Sequence, residues 1–448
     1  MTKYRHASAV SDNGKSDFTS AMGKKGGNRN KQKEGYEKPN KPRGEAGRAV
    51  NNNNNESDAD SDAASEITHL TLDDDMTSVL GDDGVDVEEE EELGDSPRDR
   101  FEEFLDNAAH KNSAIRTAAV KNIQVLLTKY YMFDTLDKWK ASLIELIEKN
   151  IKKSEMETVL LSTLASLLSI QMGNELGTGM DQILATMRQL CADPAQSENV
   201  RCNCALALGV CVYLSSEQPS QVHETLQVLN NVWSSVKVSN GSGNLFNAAI
   251  GAWALLADRN GNVRAIVNDY SKIVNYLDAG SLDIRVGAGE ALGCVYEIAL
   301  SSIDEQYTFP THDFVVQKLS ELATDSVKYR AKRDRRIQRF TFRQIYDFLR
   351  GGDAPSVTIK FGSEVLELSS LQEKLLYDMC CKFLHGGMNC HLKNNELIRD
   401  VFELGAVRDD VESNLKLSKL ERQIAQKDID RTRNMHRAKQ RDKRSALF

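Results

Sequence analysis

The densest group of metal-competent side chains in the sequence is Cys381, His385, Cys390 and His391, four soft or borderline ligands within eleven residues. Zinc takes such a set when the four converge as a tetrahedron, usually with a CxxC pair, and no such pair is present. Cys380 and Cys381 lie in LLYDMCCKFL, which has the composition of a core helix. His223-Glu224 lacks the second histidine of a zinc-hydrolase helix, and neither a phosphate loop, a GxGxxG turn after a strand nor a GxSxG elbow occurs. DADSD at Asp58–Asp62 opens like a calcium loop, but Ala63 stands where the turn needs glycine and His69 where it needs a bidentate glutamate. The chain therefore reads as non-enzymatic, with no metal, no cofactor and no small-molecule substrate.

Charge is what remains. The net charge of -9 conceals a strong segregation: residues 1–50 carry 12 basic and 5 acidic groups, and residues 51–99 carry 1 and 18. Residues 328–350 carry 9 against 2, and residues 418–448 carry 10 against 4. Two cationic surfaces in the last third favour polyanions as partners. In KYRAKRDRRIQRFTFRQIYDFL, at about 100° per residue, Lys332, Arg336, Arg339, Arg343 and Arg350 share one stripe, with Ile337, Phe340, Ile345, Phe348 and Leu349 opposite. Such a helix is expected to pack by its aromatic side and turn its charge outward. Like charges at this spacing cost about 0.2–0.5 kcal/mol per pair, which argues for a counter-charge supplied from elsewhere, although a solvated face is the plainer alternative. Further on, Lys427, Arg431, Arg433, Arg437, Lys439, Arg441, Lys443 and Arg444 point all round a helix. A helix basic on every side has nothing to bury and gains most from anions around it. Neither stretch interleaves aromatics, so both would read phosphates and shape rather than bases.

The elements that position these groups follow from periodicity. From Phe101 to about Val327 similar first helices recur, AIRTAAVKNIQVLL, EMETVLLSTLASLL, NVRCNCALALGVCV, NLFNAAIGAWALL and DIRVGAGEALGCVY. Arg116, Glu157, Arg201, Phe246 and Arg285 align in steps of 41, 44, 45 and 39 residues. Second helices follow at Asp137–Lys149, Met180–Leu190, Gln221–Val236, Val263–Leu277 and His312–Ala323. Helical pairs at 40–47 residues are the signature of a HEAT/armadillo-like solenoid, a curved surface used to hold macromolecules. Gly209, Gly287, Gly289 and Gly293 suit close helix approach, and Arg116, Arg201 and Arg285 are expected to pair with carboxylates on neighbouring repeats. After the cationic helix, VTIKFGSEVLEL alternates around Gly362-Ser363 as a β-hairpin, and helices at Leu371–Leu384 and Asn395–Leu404 close a small α+β module.

The expected organisation is a disordered segment 1–99, basic then acidic, a solenoid 100–327, a C-terminal module 328–405, and a basic helix or tail 406–448. Within the first segment, Lys24–Lys33 suits a nuclear import signal, a nucleic-acid arm or a solubilising tail, and the acidic residues 56–95 could compete for the basic surfaces. No run of about 18 apolar residues stands out, and no apolar core follows the first basic residues, which gives the expectation of a cytoplasmic and nuclear protein. The eight cysteines lie mostly in apolar helical runs without the spacing of a disulfide framework.

KRDRRIQRFTFRQIYDFL, TIKFG and GMNCHLKNNELIRDVFELG, in this order, resemble the C-terminal domain of the interferon-related developmental regulator family. The last string carries most of the likeness, through Gly387, Met388, His391, Leu392, Asn395, Glu396, Arg399 and Val401 to Gly405; RAKQRDKR at Arg437–Arg444 fits as well. Leu371 departs from the pattern, standing where a tryptophan is expected. The resemblance implies a hydrogen-bonding place for His391 and two regulatory roles. One is a ribosome-binding repressor of translation that marks inactive ribosomes, its basic C-terminal helix threaded into an rRNA-lined mRNA channel. The other is a transcriptional co-regulator in differentiation, with deacetylase or other nuclear co-repressor partners on the solenoid.

Overall fold

The computed structural model describes residues 96–239, 241–324 and 332–407, together with Lys427; the side chain of Lys332 is not among them. The expectations for residues 1–95, including Lys24–Lys33 and the acidic stretch, lie outside the described residues. So do those for the tail at Arg431, Arg433, Arg437, Lys439, Arg441, Lys443 and Arg444.

Helix α1 (Pro97–Ala108) starts on Ser96, whose hydroxyl accepts the Asp99 N–H, with Pro97 in the first turn where no donor is needed. Phe101, Leu105 and Ala108 bury its inner side against α2 (Ser113–Lys129). The solenoid then alternates: α3 (Phe133–Asn150), α4 (Glu155–Met172), a 3-10 turn Gly173–Leu176, α5 (Gly179–Ala192), α6 (Glu198–Ser215), α7 (Pro219–Ser235) and α8 (Gly243–Ala257). It continues through α9 (Val263–Asn268), α10 (Tyr270–Tyr276), α11 (Leu282–Ser302) and α12 (His312–Thr324). The expected second helix at Val263–Leu277 is thus two short helices that break at Asp269, which caps neither by its side chain. Asn112, Ser154, Ser197 and Ser242 stand at the N-caps of α2, α4, α6 and α8, each side chain accepting a first-turn N–H.

The first helices α2, α4, α6, α8 and α11 stack on one another as one layer, and the second helices pack behind them. Helices in the middle of such a layer are buried nearly all round, so α4 presents Leu161, Leu164, Leu167, Leu168 and Ile170 inward together with Ser162, Ser166 and Ser169. This corrects one expectation: Glu155–Leu176 is long and apolar enough to cross a membrane by composition. Its apolarity belongs to a core helix, since 78% of the window is buried within the protein. The small hydroxyl side chains, bonded back to carbonyls four residues earlier, kept that run from being legible as continuous.

Arg116 pairs with a carboxylate of the next repeat as expected, whereas what Arg116, Arg201 and Arg285 share is bonds to carbonyls before their own helices. Arg116 is buried and pairs with Glu157 of the next repeat, its Nε at 2.7 Å, while also donating to the His110 carbonyl at 2.9 Å. Arg201 donates to the Cys191 carbonyl at 2.9 Å. Arg285 donates to the carbonyls of Ala279 and Gly280 and to Gln338 Oε1 at 2.8 Å. Each arginine closes the connection that leads into its own helix, through carbonyls that have no partner in a helical ladder.

Helix α13 (Lys332–Leu349) stacks against α11 and α12 and so extends the solenoid. Its buried side is Gln338, Phe342, Ile345, Phe348 and Leu349, with Ile337 and Phe340 only half-buried. Phe342 is the aromatic anchor that the sequence reading missed. It fills the notch over Gly289, where a Cβ would come within 2.6 Å of its ring. Strands β1 (Val357–Phe361) and β2 (Glu364–Leu368) pair antiparallel around Gly362 at φ 53°, with Phe361 facing Glu364 across the turn. Helix α14 (Leu371–Leu384), a 3-10 turn His385–Gly387, α15 (Met388–Asn394) and α16 (Glu396–Val401) complete the described chain. The helix expected at Asn395–Leu404 therefore starts one residue later and stops earlier, because Asn395 is its N-cap.

Candidate nucleic-acid interface

Of the cations expected to face outward on α13, Arg343 is exposed, as is Arg333, while Arg336 and Arg339 are half-buried. Arg339 Nε donates to the Arg335 carbonyl at 3.4 Å. Arg350 leaves the row: its guanidinium lies over the Tyr346 ring, 5.4 Å from the centroid, and donates to the Tyr346 hydroxyl at 3.1 Å. The stripe thus combines exposed charge at Arg343 with half-buried guanidinium groups that lie along packed surface. Lys427 is helical and exposed.

What the sequence did not reveal is where the C-terminal module goes. Helix α14 touches all five first helices, α2, α4, α6, α8 and α11, and so lies across the layer that a solenoid offers to partners. Glycines make room for it. At Gly251 of α8 a Cβ would stand 3.1 Å from Met379 Cε, and at Gly209 of α6 it would stand 3.5 Å from Met379 Sδ. At Gly293 of α11 it would meet Leu371 Cδ1 at 2.8 Å, and at Gly173 it would meet Leu397 Cδ2 at 2.8 Å. The family's expected tryptophan position, Leu371, is therefore the residue that seats the start of α14 in the Gly293 notch. Gly209, Gly251 and Gly293 are each 42 residues apart, a period that marks one face of the repeat and was available in the sequence.

Polar groups lock both ends of the module. At the start of α14, Glu297 of α11 accepts the N–H groups of Leu371 and Gln372 and the Ser370 hydroxyl. Burial pushes its carboxyl above the usual range, against the pull of those donors. Gln372 Nε2 donates to the Ala254 carbonyl at the end of α8, at 3.0 Å. Lys374 sits between Asp378, at 2.6 Å, and Glu290, at 3.8 Å; burial opposes its charge, and the two carboxylates more than offset that and raise its pKa.

The far end uses the motif that carries the family likeness. His391, fully buried, meets the Leu127 carbonyl at 3.0 Å through Nε2, and Asn395 Nδ2 donates to the Ile170 carbonyl at 2.8 Å. Both carbonyls belong to last turns, of α2 and α4, where no helical donor follows. Asn395 Nδ2 also lies 3.3 Å from His391 Nδ1, which fits an imidazole with its proton on Nε2. Burial lowers the His391 pKa and keeps the ring neutral. Arg399, 1% exposed, donates to both oxygens of Glu364 on β2 at 3.1 and 2.9 Å and to the carbonyls of Leu392, Leu404, Gly405 and Ala406.

These residues are structural fastenings, and His391, one of the four metal-competent side chains, is among them. Among the described residues no three His, Cys, Asp or Glu side chains could hold an ion together. Burial pushes Cys381 up to about 12, which keeps a neutral thiol where a ligand or nucleophile needs a thiolate.

Fold and site together define a helical-repeat protein of the armadillo/HEAT kind whose first-helix layer is closed by its own C-terminal module, with a cationic helix at the end of the stack. The chain belongs to the interferon-related developmental regulator family: the family's model matches residues 64–350, and that of the interferon-related protein conserved region matches 395–445. Interferon-related developmental regulator 1 of Homo sapiens is 29% identical over 408 residues, covering 86% of this chain and 90% of the relative. Interferon-related developmental regulator 2 of Mus musculus is 29% identical over 409 residues, covering 87% and 90%. A designed armadillo repeat protein is similar over 55% of this chain and 98% of its own, at 12% identity and a TM-score of 0.38.

Proposed function

We propose that this chain is a non-enzymatic regulator that binds ribosomes and represses translation or marks inactive particles, with the basic residues between Lys427 and Arg444 entering an rRNA-lined channel. The observation that carries the proposal is the occupation of the first-helix layer by the chain's own module. With that layer filled, the basic elements in the last third of the chain that a large polyanionic partner would engage are the α13 stripe and the tail. The region matched by the conserved-region family model, 395–445, takes in Asn395 and Arg399 of the module and the basic tail. This favours treating module and tail as one working unit, the first fixing where the second departs. The relatives bear the name of developmental regulators, in keeping with a regulatory role.

Sedimentation of cell lysate on a sucrose gradient tests this, comparing the full chain with one ending at Ala425 at low and moderate salt. The full chain should travel with monosomes rather than polysomes, and truncation should release it. Phosphate contacts make the attachment fall steeply with salt. If both forms stay at the top of the gradient at every salt, the ribosome proposal fails, and capture of nuclear co-repressor proteins on the solenoid becomes the role to test.

A further inference from the structure

An open cavity of about 600 Å³ lies where α11, the loop after it, α12 and the end of α13 meet. It is open to solvent and roomy enough for a side chain. Aromatic walls come from Tyr296, Tyr307 and Phe348, with Tyr296 and Phe348 edge to face at 5.4 Å. Two exposed carboxylates, Glu305 and Asp313, stand on the rim.

One polar atom in the lining is buried and unpartnered, His312 Nδ1. Tyr296, 5% exposed, lines the cavity beside it. A buried polar group left without a partner costs free energy, and a ligand that supplies the partner recovers it.

The charge balance selects the ligand. Arg350 contributes to the lining, but its guanidinium is held on the ring and hydroxyl of Tyr346, which does not line the cavity. Tyr346 is neutral and leaves that positive charge in place, so the two carboxylates make the lining net negative by one charge, and the C-terminal end of α13, through Phe348 and Leu349, adds the negative pole of a helix dipole. Aromatic faces beneath a carboxylate rim attract cations. We propose that this cavity binds an arginine or lysine side chain presented by an extended segment of a partner protein. The cation lies against Tyr296, Tyr307 and Phe348, its N–H groups reach Glu305, Asp313 and His312 Nδ1, and the open mouth admits the flanking backbone. This site is separate from the polyanion-binding surfaces and stands whether or not the chain binds ribosomes.

Saturation-transfer NMR on the full chain tests it, with the capped tripeptides acetyl-Gly-Arg-Gly-amide and acetyl-Gly-Lys-Gly-amide as probes and the citrulline analogue as the uncharged control. Saturation should appear on the side-chain methylenes of the two cationic probes and be absent for citrulline. The pair Glu305→Gln with Asp313→Asn, both exposed, should weaken binding about fivefold, what two screened surface ion pairs are worth together. Thr308→Trp, at an exposed position in the lining, should abolish it by filling the space. Equal saturation of the citrulline probe, or undiminished signal in both altered proteins with an unchanged thermal midpoint, would overturn the assignment. In that case the signal arises from the acidic residues 51–95 or another surface.

Discussion

Asn395 separates two roles that usually coincide, and substitutions there test how the module is held. Its Oδ1 accepts the Ile398 N–H at 3.2 Å as an N-cap, and its Nδ2 donates to the Ile170 carbonyl at 2.8 Å, both fully buried. Asn395→Ala removes both. The lost cap costs about 0.5–2 kcal/mol, and the orphaned buried carbonyl about 1–3 kcal/mol more. Asn395→Asp keeps a cap that ranks with asparagine but replaces the donor with an oxygen facing the Ile170 carbonyl. If Asn395 mattered only as a cap, aspartate would be neutral. If the latch to α4 matters, aspartate should be at least as damaging as alanine, because it leaves a buried charge without a partner, worth about 3–5 kcal/mol where such pairs have been broken. Urea denaturation of the full chain reads the total. Hydrogen exchange reads the place, and protection should fall across residues 371–405 before it falls in α6 or α8. An aspartate variant as stable as the parent, with exchange in the module unchanged, would refute the latch.

Three further outcomes follow from the same packing. Gly209→Ala should destabilise by about 1–3 kcal/mol by overpacking, since its Cβ would stand 2.8 Å from Ala252 Cβ on the next helix, which cannot swing aside. Gly251→Ala meets the flexible end of Met379 at 3.1 Å and Leu375 Cδ1 at an ordinary 3.8 Å, so the gain in helix propensity of up to about 1 kcal/mol should leave it near neutral; thermal denaturation compares the two. Arg399→Met should cost about 3–5 kcal/mol, as breaking a buried ion pair does, and Arg399→Lys should recover only part, because one ammonium cannot serve Glu364 and four carbonyls. His391, whose pKa burial lowers from 6.5, is neutral in the folded state while the unfolded chain takes up a proton first. Its contribution is therefore constant above pH 6.5 and lost as the pH falls below that value, and His391→Gln should remove this part of the acid sensitivity of the denaturation midpoint.

The repeat was legible because each first helix must bury small and aliphatic residues at a helical period and begin on a capping side chain, and both are local properties. The hairpin was legible for the same kind of reason, strand alternation interrupted by Gly362-Ser363. The aromatic anchor of α13 was misplaced because Phe340 and Phe342 both fit an apolar helix, and only the two partners α11 and α12 decide that Phe342 points inward. What His391 does instead was not legible, because spacing along the chain is silent on direction: it turns to Leu127, 264 residues away in sequence.

By itself the sequence determined the helices, their pairing into a repeat, the hairpin, the segregation of charge and the family motif, all of which follow from neighbours along the chain. Only the tertiary structure decided that the module folds back over the first-helix layer, that the glycines spaced by 42 residues are its seat, and that the motif's histidine and asparagine satisfy the ends of distant helices. It alone assembled the aromatic and acidic cavity from α11, α12 and α13. A carbonyl left bare at a helix end can be satisfied by a donor from anywhere in the chain, so nothing local specifies which donor arrives.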